Sequence, residues 1–300
     1  MQTIFDSLII GGGPAGLTAA IYLARFRRRV IVVDAQHSRA TLIPESHNYP
    51  GFDHGINGQD FIARLRKQAE KFGALIVKNE VADLEKEGAY FKAALNDGTF
   101  LAANTIVLAT GIVDVKPSLP HMGEFIYQGA VRFCPICDAF EASGKRIAIM
   151  GPLSNIISKA LFIRTYTRNV VLLPLDGTGI SREEERLLAE AGINRPREVI
   201  ADLIETADGL QAISVSGKKL TFDILYPAMG AHVRSDLAIK LGASCNEEKY
   251  LHTDSYQQTT VKGLYAIGDI TTDLHQISVA TGQASIAACA IHNSLPRNYC

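Results

Sequence analysis

The start of the chain reads Ser7-Leu8-Ile9-Ile10-Gly11-Gly12-Gly13-Pro14-Ala15-Gly16-Leu17-Thr18-Ala19-Ala20-Ile21-Tyr22-Leu23-Ala24-Arg25, and the apolar run that follows ends at Asp34. This pattern predicts a buried strand, a glycine-rich turn, a helix with small residues on one side, and a second strand that ends in an acid. In a Gly-x-Gly-x-x-Gly turn, the glycines let the backbone approach a pyrophosphate and bring helix close to strand. The pyrophosphate then lies at the helix N-terminus, and the acid meets ribose hydroxyls. We therefore predict dinucleotide binding; the alternative is a glycine-rich turn in an ordinary α/β unit.

Composition narrows the class of protein. The chain has 300 residues, 47% of them hydrophobic, and a formal net charge of -1. This length suits two domains, and a charge near zero gives no reason to expect nucleic acid or an anionic membrane as a partner. The first residues lack the basic region of a signal peptide, and no apolar run reaches the roughly 18 residues of a membrane span. Five sparse cysteines do not resemble a secreted disulfide scaffold, so we expect a cytoplasmic protein.

A second motif, Cys134-Pro135-Ile136-Cys137-Asp138, lies in the middle of the chain. In a reducing compartment, a Cys-x-x-Cys pair is usually a redox centre or half of a metal site. Zinc generally needs four ligands, and Cys245, Cys289 and Cys300 are isolated in the sequence. We therefore favour a redox pair over half of a zinc site. The residues after Cys137 are expected to start a helix, and a thiol near a helix N-terminus ionises more easily.

The rest of the chain repeats the opening pattern once. A strand at 105–111 ends in Ala109-Thr110-Gly111, small residues that permit close approach of a ligand. Prolines 117 and 120 mark a linker. A strand at 146–150, a helix at 157–166 and a strand at 170–173 then repeat the βαβ order, with 151–156 in the place of a second phosphate loop. A short strand ends at Gly268-Asp269, and a long helix covers 277–292.

These motifs together resemble the low-molecular-weight thioredoxin reductase group of flavoprotein disulfide reductases, along nearly the whole chain. The segments that carry the resemblance, in order, are Gly11–Gly16, Asn48-Tyr49-Pro50-Gly51, Ala109-Thr110-Gly111, Cys134–Asp138 and Gly268-Asp269. The resemblance implies an α/β fold of two Rossmann-like (three-layer ββα) domains, the second inserted in the first. An FAD-binding domain would cover 1–115 and 236–300, and an inserted redox domain would cover 116–235. A homodimer is expected from the resemblance alone.

The resemblance also implies roles for individual residues. Cys137 would face the flavin, Cys134 would exchange with an external disulfide, and Asp138 would be the proton donor. The disulfide substrate would be a thioredoxin-like protein or another disulfide. The FAD-binding residues implied in this way are Gly11, Gly13, Pro14, Ala15, Gly16, Asp34, Asn48, Ala109, Thr110, Gly111, Gly268, Asp269, Gln276 and Ile277.

The second phosphate loop departs from the family pattern. It reads Gly151-Pro152-Leu153-Ser154-Asn155-Ile156, with Leu153 in place of the second glycine and Ile156 in place of a small residue. The family's basic run aligns with Pro174-Leu175-Asp176, and Arg182 is the nearby base. We expect the Leu153 side chain to fill the space of the pyrophosphate and Asp176 to repel a 2′-phosphate. The sequence therefore argues against NADPH as the electron donor.

Several alternatives follow from this departure. The chain looks closer to groups that do not use pyridine nucleotides, either ferredoxin-linked reductases or a type with a second flavin in the inserted domain. A conventional NADPH-dependent thioredoxin reductase with a variant site, or an NADH-dependent one, remains an alternative. A flavin-binding redox sensor without turnover is a further one. Tyr299 could stack on a flavin or simply be a mobile chain end, and Cys300 has no assigned role.

Overall fold

The computed structural model describes residues 3–118, 122–177, 179–194, 198–206 and 209–299. Pro120 of the expected linker and Cys300 lie outside these residues. The chain divides into two compact units. The first comprises Met1–Leu42, Ile56–Val113 and His232–Cys300, and the second comprises Ile43–Gly55 and Asp114–Ala231. Residues 43–55 were expected in the first domain, but the structure groups them with the second unit.

Within the described residues, secondary structure follows a regular α/β order. The strands are β1 (Ile4–Ile10), β2 (Val30–Asp34), β3 (Leu75–Lys78), β4 (Val81–Glu87), β5 (Tyr90–Leu95), β6 (Phe100–Leu108), β7 (Ile112–Asp114), β8 (Ile147–Gly151), β9 (Val170–Pro174), β10 (Ile200–Thr206), β11 (Gly209–Ser214), β12 (Lys219–Phe222), β13 (Ile224–Pro227), β14 (Ala231–Val233) and β15 (Leu264–Ala266). The helices are α1 (Pro14–Arg25), α2 (Gly58–Lys71), α3 (Met122–Tyr127), α4 (Pro135–Asp138), α5 (Leu153–Ile163), α6 (Arg182–Glu190), α7 (Asp236–Lys240) and α8 (Ile277–Ser294).

The first unit is built on a sheet of order β3-β2-β1-β6-β5-β4, with β15 also paired to β6. Strands β3, β2, β1, β6 and β15 run parallel, and β4 and β5 form an antiparallel extension. Ile9 pairs with Val32 on one side and with Val107 on the other. Strand β2 is buried along its whole length, as expected for a parallel strand covered on both faces. Because parallel strands share an edge, the residues that follow β1, β2, β6 and β15 meet at one end of the sheet.

Helix α1 packs directly on this sheet because its contact face consists of small residues. A Cβ placed on Gly16 would overlap the carbonyl oxygen of Gly11, so only glycine permits this approach of helix to strand. The last helix, α8, packs into the same core through a row of buried alanines. This row is Ala280, Ala284, Ala287 and Ala288.

The second unit repeats the architecture on a smaller scale. Its parallel sheet has the order β13-β8-β9, and a separate antiparallel sheet has the order β10-β11-β12. Ile149 of β8 pairs with Leu172 of β9 and with Tyr226 of β13. One apolar cluster lies between the parallel sheet and α5, and another joins the sheet to the antiparallel layer. The predicted fold class, two Rossmann-like domains with three ββα layers, is confirmed.

Helix ends follow the local sequence where capping is strong. Ser181 caps α6: its hydroxyl accepts from the Glu184 N–H at 3.2 Å, and the Glu184 carboxylate accepts from the Ser181 N–H at 2.7 Å. This capping box was predicted from the sequence and is confirmed. Among the described residues, no helix combines the length and apolarity needed to cross a membrane.

The glycine contact gives a matched test of stability. Replacing Gly16 with Ala is expected to destabilise the protein by about 3 kcal/mol or more, because the methyl group would overlap backbone rather than a movable side chain. Gly282 of α8 is the control, since no described heavy atom lies within 4 Å of its Cβ position. Gly282→Ala should stabilise by up to about 1 kcal/mol through helix propensity. Urea denaturation followed by circular dichroism measures both; equal effects would contradict the packing argument.

Candidate active site

The two cysteines of the Cys-x-x-Cys motif form a disulfide in the second unit. The Cα atoms of Cys134 and Cys137 are 5.3 Å apart. The N–H of Cys137 donates to the carbonyl oxygen of Cys134 at 2.9 Å, which closes the turn. The helix was expected after Cys137 but begins at Pro135, because proline suits the first helical position and Cys134 then acts as the N-cap residue. Ile136, between the cysteines, is 52% exposed.

The carboxyl group of Asp138 lies beside this disulfide in sequence and is partly buried. The Tyr226 hydroxyl donates to its Oδ1 at 2.7 Å. Burial raises the pKa of Asp138 to about 6, while the hydrogen bond from Tyr226 and the charge of Arg132 lower it and the charge of Glu141 raises it. A carboxyl group with such a pKa keeps a proton close to neutral pH, as a proton donor requires.

Backbone pairing holds Tyr226 next to Asp138. The segment before the cysteines runs alongside β13: Leu225 N–H donates to Ala130 O at 2.8 Å, and Arg132 N–H donates to Leu225 O at 2.9 Å. The Arg132 side chain then donates through Nη1 to the backbone oxygen of Asp138 at 3.0 Å. Sequence reasoning missed Tyr226, which lies in an apolar strand. The signal was there: a buried tyrosine hydroxyl needs a partner.

Asn48, predicted from the resemblance to lie beside the flavin ring, contacts the disulfide helix within the second unit. Its side-chain amide is 3.5 Å from the carbonyl oxygen of Ile136. The Ser46 hydroxyl donates to Asn48 Oδ1 at 3.2 Å, which orients the amide. These contacts are consistent with the grouping of residues 43–55 in the second unit.

The predicted dinucleotide residues of the first unit come together at the carboxyl edge of its sheet. Gly11 has a φ of 117°, and a Cβ there would overlap the carbonyl oxygen of Ala109. A Cβ on Gly12 would overlap the carboxyl group of Asp34. Sequence reasoning had not singled out Gly12, although it lies inside the motif. A side chain at Gly11 or Gly12 would therefore collide with backbone or with the acid.

Asp34 is buried at the end of β2 and held by the chain around it. Its Oδ1 accepts from the Gln36 N–H at 2.8 Å, and its Oδ2 contacts the guanidinium of Arg66. The N-terminus of α1 begins at Pro14 and has no side-chain cap within the described residues. A glycine turn, an uncapped helix N-terminus and a fixed acid together fit the adenosine and pyrophosphate groups of a dinucleotide.

The remaining predicted residues occupy neighbouring elements of the first unit. A Cβ on Gly268 would lie 3.1 Å from the Ala15 Cβ, so the loop after β15 adjoins the start of α1. The Asp269 carboxyl lies 3.9 Å from the Arg39 guanidinium. Two further pairs complete the set. In the first pair, the Thr110 hydroxyl donates to Arg234 O at 2.5 Å and Gly111 O accepts from the Arg234 N–H at 3.0 Å. In the second pair, Gln276 is the N-cap residue of α8 and Ile277 is the first residue of that helix.

The second phosphate loop has a different geometry from the first. Helix α5 was predicted from residue 157 but begins at Leu153, and the Leu153 side chain is only 4% exposed, within the apolar core. The expectation that this side chain fills the pyrophosphate space was therefore wrong, because the earlier helix start turns it inward. Instead, the Asp176 carboxylate accepts from the Leu153 N–H at 3.2 Å. An acidic side chain of the protein thus lies at the N-terminus of α5.

The tail is held away from the glycine turn. Asn298 Nδ2 donates to Phe26 O at 2.9 Å and to Arg27 O at 3.2 Å, just after the C-terminal end of α1. A helix of this length is about 18 Å long, so the tail lies at the opposite end of α1 from Gly13. Tyr299, which is 87% exposed, therefore does not lie at the dinucleotide site of its own chain.

Metal ligation was the alternative for the cysteine pair. Within the described ranges, no group of three or more His, Cys, Asp or Glu side chains is placed to hold a metal ion. The two cysteines bond to each other instead.

Comparison with known proteins agrees with this geometry. The profile of the pyridine nucleotide-disulphide oxidoreductase family matches residues 5–284. Thioredoxin reductase of Treponema pallidum (strain Nichols) is 27% identical over 304 residues, which cover 97% of each protein. The crystal structure of HlmI superposes with a TM-score of 0.90 at 25% identity, covering 98% of this chain and 93% of that chain.

A further solved structure is more similar in sequence. It is the atypical thioredoxin reductase TRi from Desulfovibrio vulgaris Hildenborough, 32% identical, with a TM-score of 0.54 and coverage of 96% of this chain and 97% of that chain. Since the family profile spans nearly the whole chain and the similar proteins cover it from end to end, the protein belongs to the pyridine nucleotide-disulphide oxidoreductase family and is an enzyme of the flavoprotein disulfide reductase type, similar to thioredoxin reductases.

Proposed function

We propose that this enzyme binds FAD in its first unit, reduces a thioredoxin-like protein through the Cys134–Cys137 disulfide, and takes its electrons from a donor other than NADPH. The observation that carries the choice of donor is the Asp176 carboxylate at the Leu153 N–H, where a nicotinamide dinucleotide would place its pyrophosphate. FAD, when bound, supplies the electron pair for the disulfide.

The first unit supplies a site for FAD through backbone groups. The amides at the start of α1 point at the turn 11–16, where an uncapped helix N-terminus attracts a pyrophosphate. Asp34, fixed by Gln36 and Arg66, is placed to accept hydrogen bonds from ribose hydroxyls. Gly268 and Asp269 adjoin the same helix start from the loop after β15. These contacts support the assignment of this unit to FAD.

The disulfide and Asp138 carry out the reductive step. Two electrons cleave the S–S bond and leave two thiolates, one on Cys134 and one on Cys137. The protonated carboxyl group of Asp138 transfers its proton to one thiolate, which gives one thiol, one thiolate and an Asp138 carboxylate. The remaining thiolate attacks the substrate disulfide, which breaks the substrate S–S bond, releases one substrate thiolate and forms a mixed disulfide. The thiol partner then returns its proton to the Asp138 carboxylate and attacks the mixed disulfide, which re-forms the Cys134–Cys137 disulfide and releases the second substrate thiolate; both substrate thiolates take protons from water.

Two features of the second unit oppose an ordinary NADPH site. The Leu153 N–H is already bonded to Asp176. The charge of that carboxylate would repel a pyrophosphate at the same place. The similarity to a reductase described as atypical supports this proposal.

Conventional NADPH-dependent thioredoxin reductase is the second candidate, because the matching family is defined by pyridine nucleotides. Two donors fit the first candidate: a reduced ferredoxin, or a second flavin held in the second unit. Flavin content per chain separates these donors, since a second flavin gives two flavins for each disulfide.

The donor can be tested on the flavin absorbance itself. We expect NADPH at micromolar concentration, without oxygen, to leave the visible band of the FAD-loaded enzyme unchanged for many seconds, because the site at α5 holds Asp176. Dithionite is the control and should bleach the band at once. Rapid bleaching by NADPH would support the conventional reductase, and bleaching by reduced ferredoxin would identify a protein donor.

The cysteine pair can be tested by single substitutions. Cys134→Ser and Cys137→Ser should each lower the reduction of a thioredoxin-like disulfide by on the order of 1,000-fold, because the two thiols act as one unit. Flavin content should stay unchanged, since every predicted FAD residue except Asn48 lies in the first unit. The free, exposed Cys289 is the matched control, and Cys289→Ser should retain activity. Absence of disulfide turnover in the unmodified enzyme would instead favour a redox sensor.

The raised pKa of Asp138 also predicts a pH-dependent stability. The folded protein keeps a proton on Asp138 up to about pH 6, whereas the unfolded chain releases it near pH 4. The proton on Asp138 thus stabilises the folded protein fully below the pKa that Asp138 has in the unfolded chain. This stabilisation is lost as the pH rises through the pKa that Asp138 has in the folded protein. Asp138→Asn stays neutral at every pH. The thermal midpoint of this variant minus that of the unmodified enzyme should therefore be a few degrees larger at about pH 8 than at about pH 4.

The control for this measurement is Asp97→Asn. Asp97 is exposed, and a hydrogen bond from the Thr99 N–H lowers its pKa. Its substitution should bring no such gain at the higher pH. If the thermal midpoints of Asp138→Asn and the unmodified enzyme differ by the same amount at both pH values, the raised pKa of Asp138 is contradicted.

A further inference from the structure

We propose that Tyr226 is a positioning residue for proton transfer at the disulfide: its buried hydroxyl holds Oδ1 of Asp138 and leaves Oδ2 to deliver the proton. The inference rests on the proposed function only in taking Asp138 as the proton donor. Nothing in the Cys-x-x-Cys-Asp motif itself points to β13, which lies 88 residues further along the chain from Asp138.

The environment of Tyr226 requires a partner for its hydroxyl. The residue is 0% exposed and packs in the apolar cluster with Ile147, Ile149 and Ile156. A hydroxyl buried among aliphatic side chains is unfavourable unless it makes a hydrogen bond. Its bond to Asp138 Oδ1 at 2.7 Å meets that need and joins two partly desolvated groups. Such a bond is stronger than one on the surface.

Backbone contacts fix both partners, so the hydroxyl acts on a carboxyl group that is already in place. Pairing of Leu225 with Ala130 and Arg132 sets the position of Tyr226, the next residue in β13. Arg132 spans the turn, donating through Nε to Gly129 O at 2.8 Å and through Nη1 to Asp138 O at 3.0 Å. These bonds hold the main chain of Asp138. The remaining freedom is rotation of its carboxyl group, which the hydroxyl of Tyr226 restricts.

The charges around Asp138 show which group sets its proton affinity. Burial raises the pKa, and the Glu141 carboxylate raises it further; the hydrogen bond from Tyr226 is the largest influence that lowers it, ahead of the Arg132 charge. Tyr226 itself stays protonated, because burial and the neighbouring Asp138 charge raise its own pKa. The hydroxyl therefore remains a hydrogen-bond donor while Asp138 gains and loses its proton.

The reductive step follows with its protons balanced. Before reduction the S–S bond is intact, and the form of the enzyme that donates has Asp138 protonated, as it predominantly is below about pH 6. Two-electron reduction would cleave that bond, and the proton of Asp138 would pass to one of the two thiolates. The new Asp138 carboxylate is then stabilised by the hydrogen bond from Tyr226 and by the Arg132 charge. Tyr226 thus makes Asp138 a stronger acid by lowering its pKa, whereas burial raises that pKa.

The test uses Tyr226→Phe, which removes the hydroxyl and keeps the ring in the core. In the full-length enzyme with isotope-labelled aspartate, the carboxyl resonance of Asp138 is assigned by its absence in Asp138→Asn. We expect its midpoint of titration to rise by about one pH unit or more in Tyr226→Phe. An unchanged midpoint would overturn the proposal. This measurement needs no turnover, so it remains decisive even where disulfide reduction, and with it the proposed function, fails.

A turnover measurement separates positioning from a merely structural role. In Tyr226→Phe, the pH above which kcat/KM for the disulfide substrate declines should rise by as much as the titration midpoint of Asp138 does. In an Asp138→Asn background, adding Tyr226→Phe should leave that pH unchanged. Tyr265→Phe, which removes another buried tyrosine hydroxyl, is the matched control and should keep the unmodified profile. Two results would overturn the role in proton transfer. One is a pH profile of kcat/KM that is unchanged in Tyr226→Phe although the Asp138 titration midpoint rises. The other is an equal shift of the pH profile when Tyr226→Phe is made in the Asp138→Asn background.

Discussion

The first unit depends on one close approach, that of Gly16 in α1 to the carbonyl oxygen of Gly11 after β1. No side chain fits between these two backbones. The approach seats the helix on the sheet through small residues and leaves its N-terminus open at the strand ends. It also brings the loop after β15 against Ala15. Packing and ligand binding therefore rest on the same contact, since a larger residue at 16 would displace both the helix and its amides.

The second unit has the same close packing of helix on strand, but the start of its helix differs. Gly151 still lies against backbone, with its Cβ position 2.5 Å from Ala228 O and 3.3 Å from the Ile156 side chain. The helix, however, begins on Pro152 and Leu153, and Asp176 meets the first amide. A helix N-terminus attracts a negative charge, and here the chain supplies that charge itself.

Short sequence motifs correctly predicted the features that depend on neighbouring residues in the chain. The glycine turn, the strand ends and the capping box at Ser181 depend on residues within a few positions of each other, and the structure has them as expected. The direction of the Leu153 side chain was wrong, because the start of α5 shifts by four residues and one helix start decides which side chains turn inward. The partners of Tyr226 and Asp176 could not be predicted, since each hydrogen bond joins residues more than twenty positions apart.

Strand β13 and Ala228, which follows it, contact both the carboxyl group of Asp138 and the start of α5. Tyr226 reaches the carboxyl group of Asp138, and two residues later the carbonyl oxygen of Ala228 lies against Gly151 and accepts from Asn155 at 3.4 Å. The first contact needs a specific hydroxyl, whereas the second involves only backbone at Ala228. Side chains at the α5 loop can therefore change without moving Tyr226. The hydrogen bond to Asp138 depends on a side chain of β13, whereas the start of α5 meets only the backbone of Ala228 after that strand. The proposed change of electron donor therefore requires no change at Asp138.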